Sequence, residues 1–530
     1  MSAPAIFALL VPKNLRVLEE FVRRHPGTTV LLPGCAATEN ARERIAVAGG
    51  CMVALETLLS AAEHESLATE VKSRTEGLPG KLAAATWKRH WKKPGIPTAA
   101  LAECLAEEAA ERLPGLLGLA AELQAAAAVY SISLVLVNDD LTPVSRVVVE
   151  WARRRGIPSL QLSHSLLLCE PYTIHAQLHA DVTAVFGERG VEAYRDVGLD
   201  PARLRVTGNP AWDDYSRLGR YRPELRATMA ALHGLSTAAP IVVFGTTWSA
   251  NLTALGDEGL YSKTLRAFLV SCKELHDQGV ALQPVIKDRQ TPESSAPRVH
   301  ELAAELGLPP GFVRFSMMDA MSWVLVADVL VSVQSNLSVE AMLAGVPAIN
   351  LFTELGMALG PCFAADAGVL EVQASGLTKA LRELLLNDEL RAQQLAAQSR
   401  AVAHHNAGVD GKATERVVAL MSELAQRGEV AAEHNVGASY EYGVGVAVDY
   451  AAAERHYRAA ADRGYVPALY SLGALRAQGR IAPADDVKAL ALLLRSQALA
   501  RGEDPASQFV RTDRAGHVKR LDRKSTRLNS

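Results

Sequence analysis

Short runs of β-branched and aliphatic residues recur between Met1 and Leu351, and most are followed by one stretch of helical periodicity. Leu134–Val137, the helical pattern Pro143–Arg155 and Ser159–Leu162 are one instance; Val329–Val333, the helix-period positions Val339, Met342 and Leu343, and Ala348–Leu351 are another. Strand and helix alternating at this spacing form βαβ units with right-handed crossovers, which build parallel sheets covered by helices. In such sheets ligands sit at the carboxyl ends of the strands. The residues directly after each apolar run are therefore the candidates for function.

The first series fills residues 1–220. It begins with Ile6–Val11, a helix over Leu15–Arg24 and Thr29–Leu32, which ends at the turn residues Pro33 and Gly34. Ala61–Tyr130 is helical by its alanine and leucine content, broken at Gly77–Gly80 and Lys93–Pro97. Leu134–Val137 ends in Asn138, Asp139 and Asp140, and Ser159–Leu162 ends in Ser163, His164 and Ser165. Asp139, Asp140 and His164 are thus expected at the mouth of the first sheet. Val182–Phe186 and Leu204–Thr207 complete the series, and Gly208, Asn209 and Pro210 form a sharp turn at a strand end, expected at the cleft between domains.

A helical connector over Tyr221–Ala239 opens the second series, residues 221–425. Ile241–Phe244 is followed by Gly245, Thr246 and Thr247; Pro284–Ile286 by Lys287, Asp288 and Arg289; Val329–Val333 by Gln334, Ser335, Asn336 and Ser338. A polar turn entering a helix presents unpaired N–H groups and the positive end of the helix dipole, which bind an anion such as phosphate. Glu340, in that first turn, is placed to accept hydrogen bonds from a ribose diol. The same residue types also cap helices with no ligand involved, and it is the recurrence at several strand ends that favours a nucleotide site.

The 530 residues exceed what one core accommodates, and 49% apolar content suffices for several. A net charge of −3 gives no electrostatic footprint for nucleic acid. The six cysteines show no C-x-x-C spacing, which suggests neither a zinc site nor a disulfide framework and fits a reducing cytoplasm. The apolar opening is too short to span a bilayer and lacks a basic leader, and Glu122 and Gln124 interrupt the alanine-rich Leu116–Tyr130. Trp87, Lys88, Arg89, His90, Trp91, Lys92 and Lys93 form a basic aromatic patch that reads either as a solvated helix face or as a peripheral contact with an acceptor or the inner face of a membrane.

Residues 431–499 repeat themselves. Val436-Gly437 matches Leu472-Gly473, Gly443 matches Gly479 and Ala432 matches Ala468, each 36 residues apart. A period of this length with small residues at fixed points means stacked helical hairpins. Gly443 to Val446 is read as the connecting turn. Residues 500–530 are irregular, and Asp522–Ser530, which has the character of a translated adapter, is left out of fold reasoning.

The segments RGIPSLQLSHSLL, ADVTAVFGERGVEAYRDVG, LRVTGNPAWDD and ADVLVSVQSNLSVEAMLAGVPAINL carry a resemblance. Residues 1 to about 425 resemble GT-B-fold transferases of bacterial surface polysaccharides, close to capsule glycosyltransferases, CDP-glycerol glycerophosphotransferases and nucleotide-sugar 2-epimerases. Through NVGASYEYGVGVAVDYAAAERHYRAAADRGYVPALYSLG, residues 431–499 resemble Sel1-like, TPR-like repeats. The resemblance implies two facing Rossmann-like domains, acceptor then donor, followed by an all-α repeat domain. It implies transfer of a sugar or glycerol phosphate from a nucleotide-activated donor to a surface-glycan or protein acceptor, with a protein partner on the repeats.

Such transfer needs a diphosphate cradle, positive charge and a base for the acceptor hydroxyl. The resemblance assigns Gly245, Thr246, Thr247, Lys287, Arg289, Ser335, Asn336 and Ser338 to the first two tasks, Glu340 to the ribose, and His164 to the base, with Asp139 and Asp140 as alternatives. Helix N-termini and Lys or Arg supply the charge, so neither metal nor cofactor is implied. The chain departs from the family at three places. Ser165 replaces the glycine after the histidine, Asp288-Arg289-Gln290 replaces His-Pro after the lysine, and Ser332 stands where retaining enzymes carry the first glutamate of Glu-x7-Glu. Two other readings follow: a 2-epimerase, against which the missing carboxylates count, and a catalytically silent scaffold that works through its repeats.

Overall fold

The computed structural model describes residues 4–9, 14–34, 37–76, 98–138, 142–163, 178–246, 260–288, 296–333, 335–352, 363, 367–443, 446–481 and 486–499. Of the sequence candidates, Asp139, Asp140, His164, Thr247 and Arg289 lie outside the described residues, as do Gln334 and the patch Trp87–Lys93.

The fold class read from the strand–helix alternation is the one observed, two parallel α/β sheets followed by a helical region. The first sheet contains β1 (Pro4–Ala8), β2 (Thr29–Leu32), β3 (Cys51–Ala54), β4 (Ser131–Val137), β5 (Ser159–Leu162), β6 (Val182–Val185) and β7 (Leu204–Val206), in the order β3-β2-β1-β4-β5-β6-β7. The second contains β8 (Ile241–Gly245), β9 (Gln283–Lys287), β10 (Arg314–Ser316), β11 (Val329–Ser332), β12 (Ala348–Phe352) and β13 (Val369–Gln373), in the order β10-β9-β8-β11-β12-β13. Sequence reasoning passed over β3 and β13. β13 carries Glu371 inside its apolar run, and β3 is an edge strand with an exposed Cys51, so neither reads as a clean buried run.

Winding starts at the middle of each sheet, runs outward to one edge and then returns to fill the other. The direction reverses between β1 and β4 in the first sheet and between β8 and β11 in the second. At such a switch point the crossover helices diverge to opposite faces and leave a crevice beyond the strand ends.

The chain forms two compact units. One draws on Met1–Leu162, Leu178–Thr183 and Val418–Ser530, the other on Ser163–Gln177 and Ala184–Val417. In the first, Phe7, Leu31, Val135 and Val137 pack under Leu119, Leu123 and Ala126 of the Thr98–Val129 helix. In the second, both faces of the sheet are covered. Val243, Leu330 and Ala348 pack with Trp323 and Val339, while Phe244, Val331 and Ile349 pack with Phe268 and Leu381. Asp328 fixes the start of this sheet, because its carboxylate accepts from the Ile241 amide at 2.7 Å and from Arg226 at 2.8 Å. With those ends pinned, Gly245 and Ser332 face each other where β8 and β11 finish.

The helical region comprises Ala413–Tyr442, Tyr450–Asp462, Val466–Ala477 and Asp486–Leu499. The 36-residue period is a geometric equivalence. A Cβ at Gly437 would lie 2.7 Å from the Tyr457 ring and 3.2 Å from the Ala453 carbonyl; one at Gly473 would lie 2.9 Å from Leu493 and 3.2 Å from the Ala489 carbonyl. Each glycine lets one helix touch the next at the same point of its own hairpin. Among the described residues no helix is long and apolar enough to cross a membrane.

Candidate functional site

The second switch point gathers most of the described candidates. Gly245 closes β8, and the Leu337–Ala344 helix starts against it; an added Cβ would stand 2.1 Å from Leu337 Cδ1. The absence of a side chain is what lets the helix N-terminus reach the end of β8. The Ser335 hydroxyl accepts from the Leu337 amide at 3.3 Å and its carbonyl from the Ser338 amide at 3.2 Å. The Asn336 carbonyl accepts from Val339 at 2.9 Å and Glu340 at 3.0 Å. Ser335 therefore satisfies the first amide of this helix from just outside its cap. Asn336 holds the N-cap position in a helical conformation without a side-chain cap bond, and both residues are partly exposed.

Two candidates face inward. Ser338 is fully buried, with its hydroxyl 2.8 Å from that of Ser332, so it ties the helix to β11 beneath the turn. Thr246 is buried too. Its amide donates to the Lys287 carbonyl at 3.1 Å and its hydroxyl to Asp288 Oδ1 at 2.7 Å. The Asp288 amide in turn donates to the Ser316 carbonyl at 2.8 Å. These bonds stitch together the ends of β8, β9 and β10, with Lys287 half-buried at the end of β9.

Glu340 lies in the first turn of the helix, half-buried, and its Oε2 accepts from the Tyr215 phenol at 2.6 Å. Burial, then the Glu340 carboxylate and its hydrogen bond, then the Asp319 charge push the Tyr215 phenol well above its usual range. It stays a donor at any physiological pH. Tyr215 was not a sequence candidate; its only signal was Trp212 and Tyr215 three apart after the Gly208 turn, the spacing of one buried helical face. Asn350 and Glu371 were also missed. Asn350 is fully buried opposite Ser332 and donates to Glu371 Oε1 at 3.3 Å, while the Phe363 amide reaches the same oxygen at 3.2 Å. Polar residues inside the apolar strands AINLF and VLEVQ were the available clue.

The turn at Gly208, Asn209 and Pro210 is sharp, with Gly208 at φ +81. Its partners come from the 406–416 segment. The Asn209 amide donates to Asn406 Oδ1 at 2.8 Å, and Asp213 accepts from the Ala413 and Thr414 amides at 2.8 Å each, capping the Ala413–Tyr442 helix.

At the switch point of the first sheet, the described residues include a chain of amides. Asn14 donates to Asn138 Oδ1, and Asn138 Nδ2 donates to the Leu9 carbonyl at 2.7 Å. This chain of neutral groups bridges the ends of β1 and β4.

No protein-family model matches the chain, and no curated protein is significantly similar to it. Among solved structures, similar ones include Anabaena Alr3699/HepE in complex with UDP and glucose, with 12% identity, TM-score 0.48, and coverage of 80% of this chain and 100% of that one. The UDP-GlcNAc 2-epimerase of Neisseria meningitidis bound to UDP-GlcNAc gives 14% identity, TM-score 0.46, and 80% and 100% coverage. The wall teichoic acid polymerase TagF gives 12% identity, TM-score 0.45, and 80% and 89% coverage. At these values the likeness says nothing of substrate, and the two-sheet architecture stands on the chain's own strand order.

Proposed function

We propose that this chain is a GT-B-type transferase that binds a nucleotide-activated donor at the switch point of its second sheet and passes the activated group to an acceptor hydroxyl. One observation carries the reading: the direction of winding reverses between β8 and β11, where Gly245 pairs with Lys287 on one side and abuts, through Leu337, the helix that Ser335 and Asn336 precede and Glu340 belongs to. A glycine strand end, a helix N-terminus and a lysine suit a diphosphate leaving group, and a carboxylate in the first turn suits the ribose. In this proposal Thr247 and Arg289 extend the cradle, and His164, or Asp139 and Asp140, takes the acceptor proton. Ser338 and Thr246 act by holding the strand ends. The acceptor is a surface glycan or protein, the transferred group a sugar or glycerol phosphate, the repeats dock a protein, and the enzyme works in the cytoplasm, either free or at the inner face of the membrane.

A thermal-shift panel of UDP-, GDP-, CMP- and CDP-activated donors, followed by a nucleotide-release assay with any hit, tests this. Stabilisation by one nucleotide class that is lost in Glu340→Ala and weakened in Ser335→Ala is the expected result. No response to any of them overturns the donor site and leaves the repeat scaffold as the function.

A further inference from the structure

Glu340 does not meet a ligand as an isolated carboxylate. Its Oε2 is held at 2.6 Å by the hydroxyl of Tyr215, which is 3% exposed and sits at the start of the short Tyr215–Leu218 helix. The ring is buried in one apolar cluster with Trp212, Trp323 and Val339. The strand-end turn at Gly208 anchors the segment that carries it, through Asn209 to Asn406 and Asp213 to the Ala413 and Thr414 amides. The carboxylate is thus located from two sides, by the helix that carries Glu340 and by a ring clamped to a different part of the unit.

From this geometry we infer that Tyr215 is a positioning residue for hydroxyl recognition by Glu340; the inference rests on the donor-site reading above. A glutamate has three rotatable bonds and would otherwise lose their freedom on binding. The hydrogen bond to one oxygen sets the plane of the carboxylate before a ligand arrives. In the donor-site reading the pair acts on the ribose hydroxyls of a nucleotide, and not on its base or phosphates.

Titration calorimetry with UDP and CDP and with their 2′,3′-dideoxy counterparts separates this role from plain support of the fold. Wild type is expected to prefer the ribonucleotide about tenfold or more, the size of a hydrogen bond to a charged group. Tyr215→Phe should bring that preference to within about threefold while leaving dideoxynucleotide affinity unchanged. A fall of both affinities in parallel, or an unchanged preference, overturns the inference while leaving the donor site standing. Absence of nucleotide binding in wild type overturns both. Should Tyr215→Phe not fold, 3-fluorotyrosine at position 215 carries the test. Its phenol still donates to Glu340, so the ribose preference should hold within about twofold; a preference lost with the hydrogen bond retained overturns the inference.

Discussion

The two switch points share a topology and differ in chemistry. At the first, Asn14, Asn138 and the Leu9 carbonyl form a chain of neutral amides between β1 and β4. At the second, hydroxyls, carboxylates and a lysine meet a helix N-terminus between β8 and β11. Doubly wound topology fixes where a crevice opens, and the side chains at the strand ends fix what it can hold. Among the described residues, the amide chain at the first switch point offers directional hydrogen bonds without charge. In the proposed reading, the second crevice offers a positive end to a diphosphate and a preset carboxylate to a diol.

Acid is expected to act on both units and gives the largest effect. Burial, then the charges of His404 and Arg189 against the opposing Glu192, lower His405 in the second unit to about 4. Burial lowers His434 in the first unit to about 4, with the Asn435 side chain opposing. Both histidines stay neutral in the folded chain while the unfolded chain protonates them below about 6.5. Their stability contribution is thus complete above pH 6.5 and is lost as pH falls toward 4. For the wholly buried His405 this is on the order of 3 kcal/mol. Urea denaturation across that range should show the slope, and His405→Gln should flatten only the part belonging to the second unit.

Gly245→Val bears on the second crevice alone. The Leu337 side chain occupies the space a valine would need and must repack in a buried setting, at a cost of about 1–3 kcal/mol. Nucleotide stabilisation should vanish with it. Ser332→Ala leaves the buried Ser338 hydroxyl unpaired and should cost about 2 kcal/mol, whereas Ser332→Ala with Ser338→Ala should recover most of that loss. Asn14→Ala, in the first crevice, should cost about 1 kcal/mol by urea denaturation and leave the nucleotide response intact.

Much of this was readable from residues. Leu15–Arg24, Thr29–Leu32 and Ser159–Leu162 form their elements at the very bounds that periodicity and turn residues indicate, because local pattern and tertiary burial agree there. Gly245, Ser335, Asn336 and Glu340 were legible as strand-end residues once several such ends were compared. What local pattern could not reveal was the partner of each group. Ser338 and Thr246 look like ligands in the sequence and are bonded to Ser332 and Asp288 in the fold. Tyr215 looks like core and holds Glu340 across 125 positions of chain. Pairings of that kind depend on which strands become neighbours, and the sheet order sets that.

Isothermal titration of UDP and CDP into wild type, Glu340→Ala and Asn138→Ala tests the central claim most directly, because the two variants alter one crevice each. Saturable binding to wild type that survives Asn138→Ala and is lost in Glu340→Ala is the predicted result. Binding that survives Glu340→Ala and is lost in Asn138→Ala would contradict the placement of the donor in the second sheet.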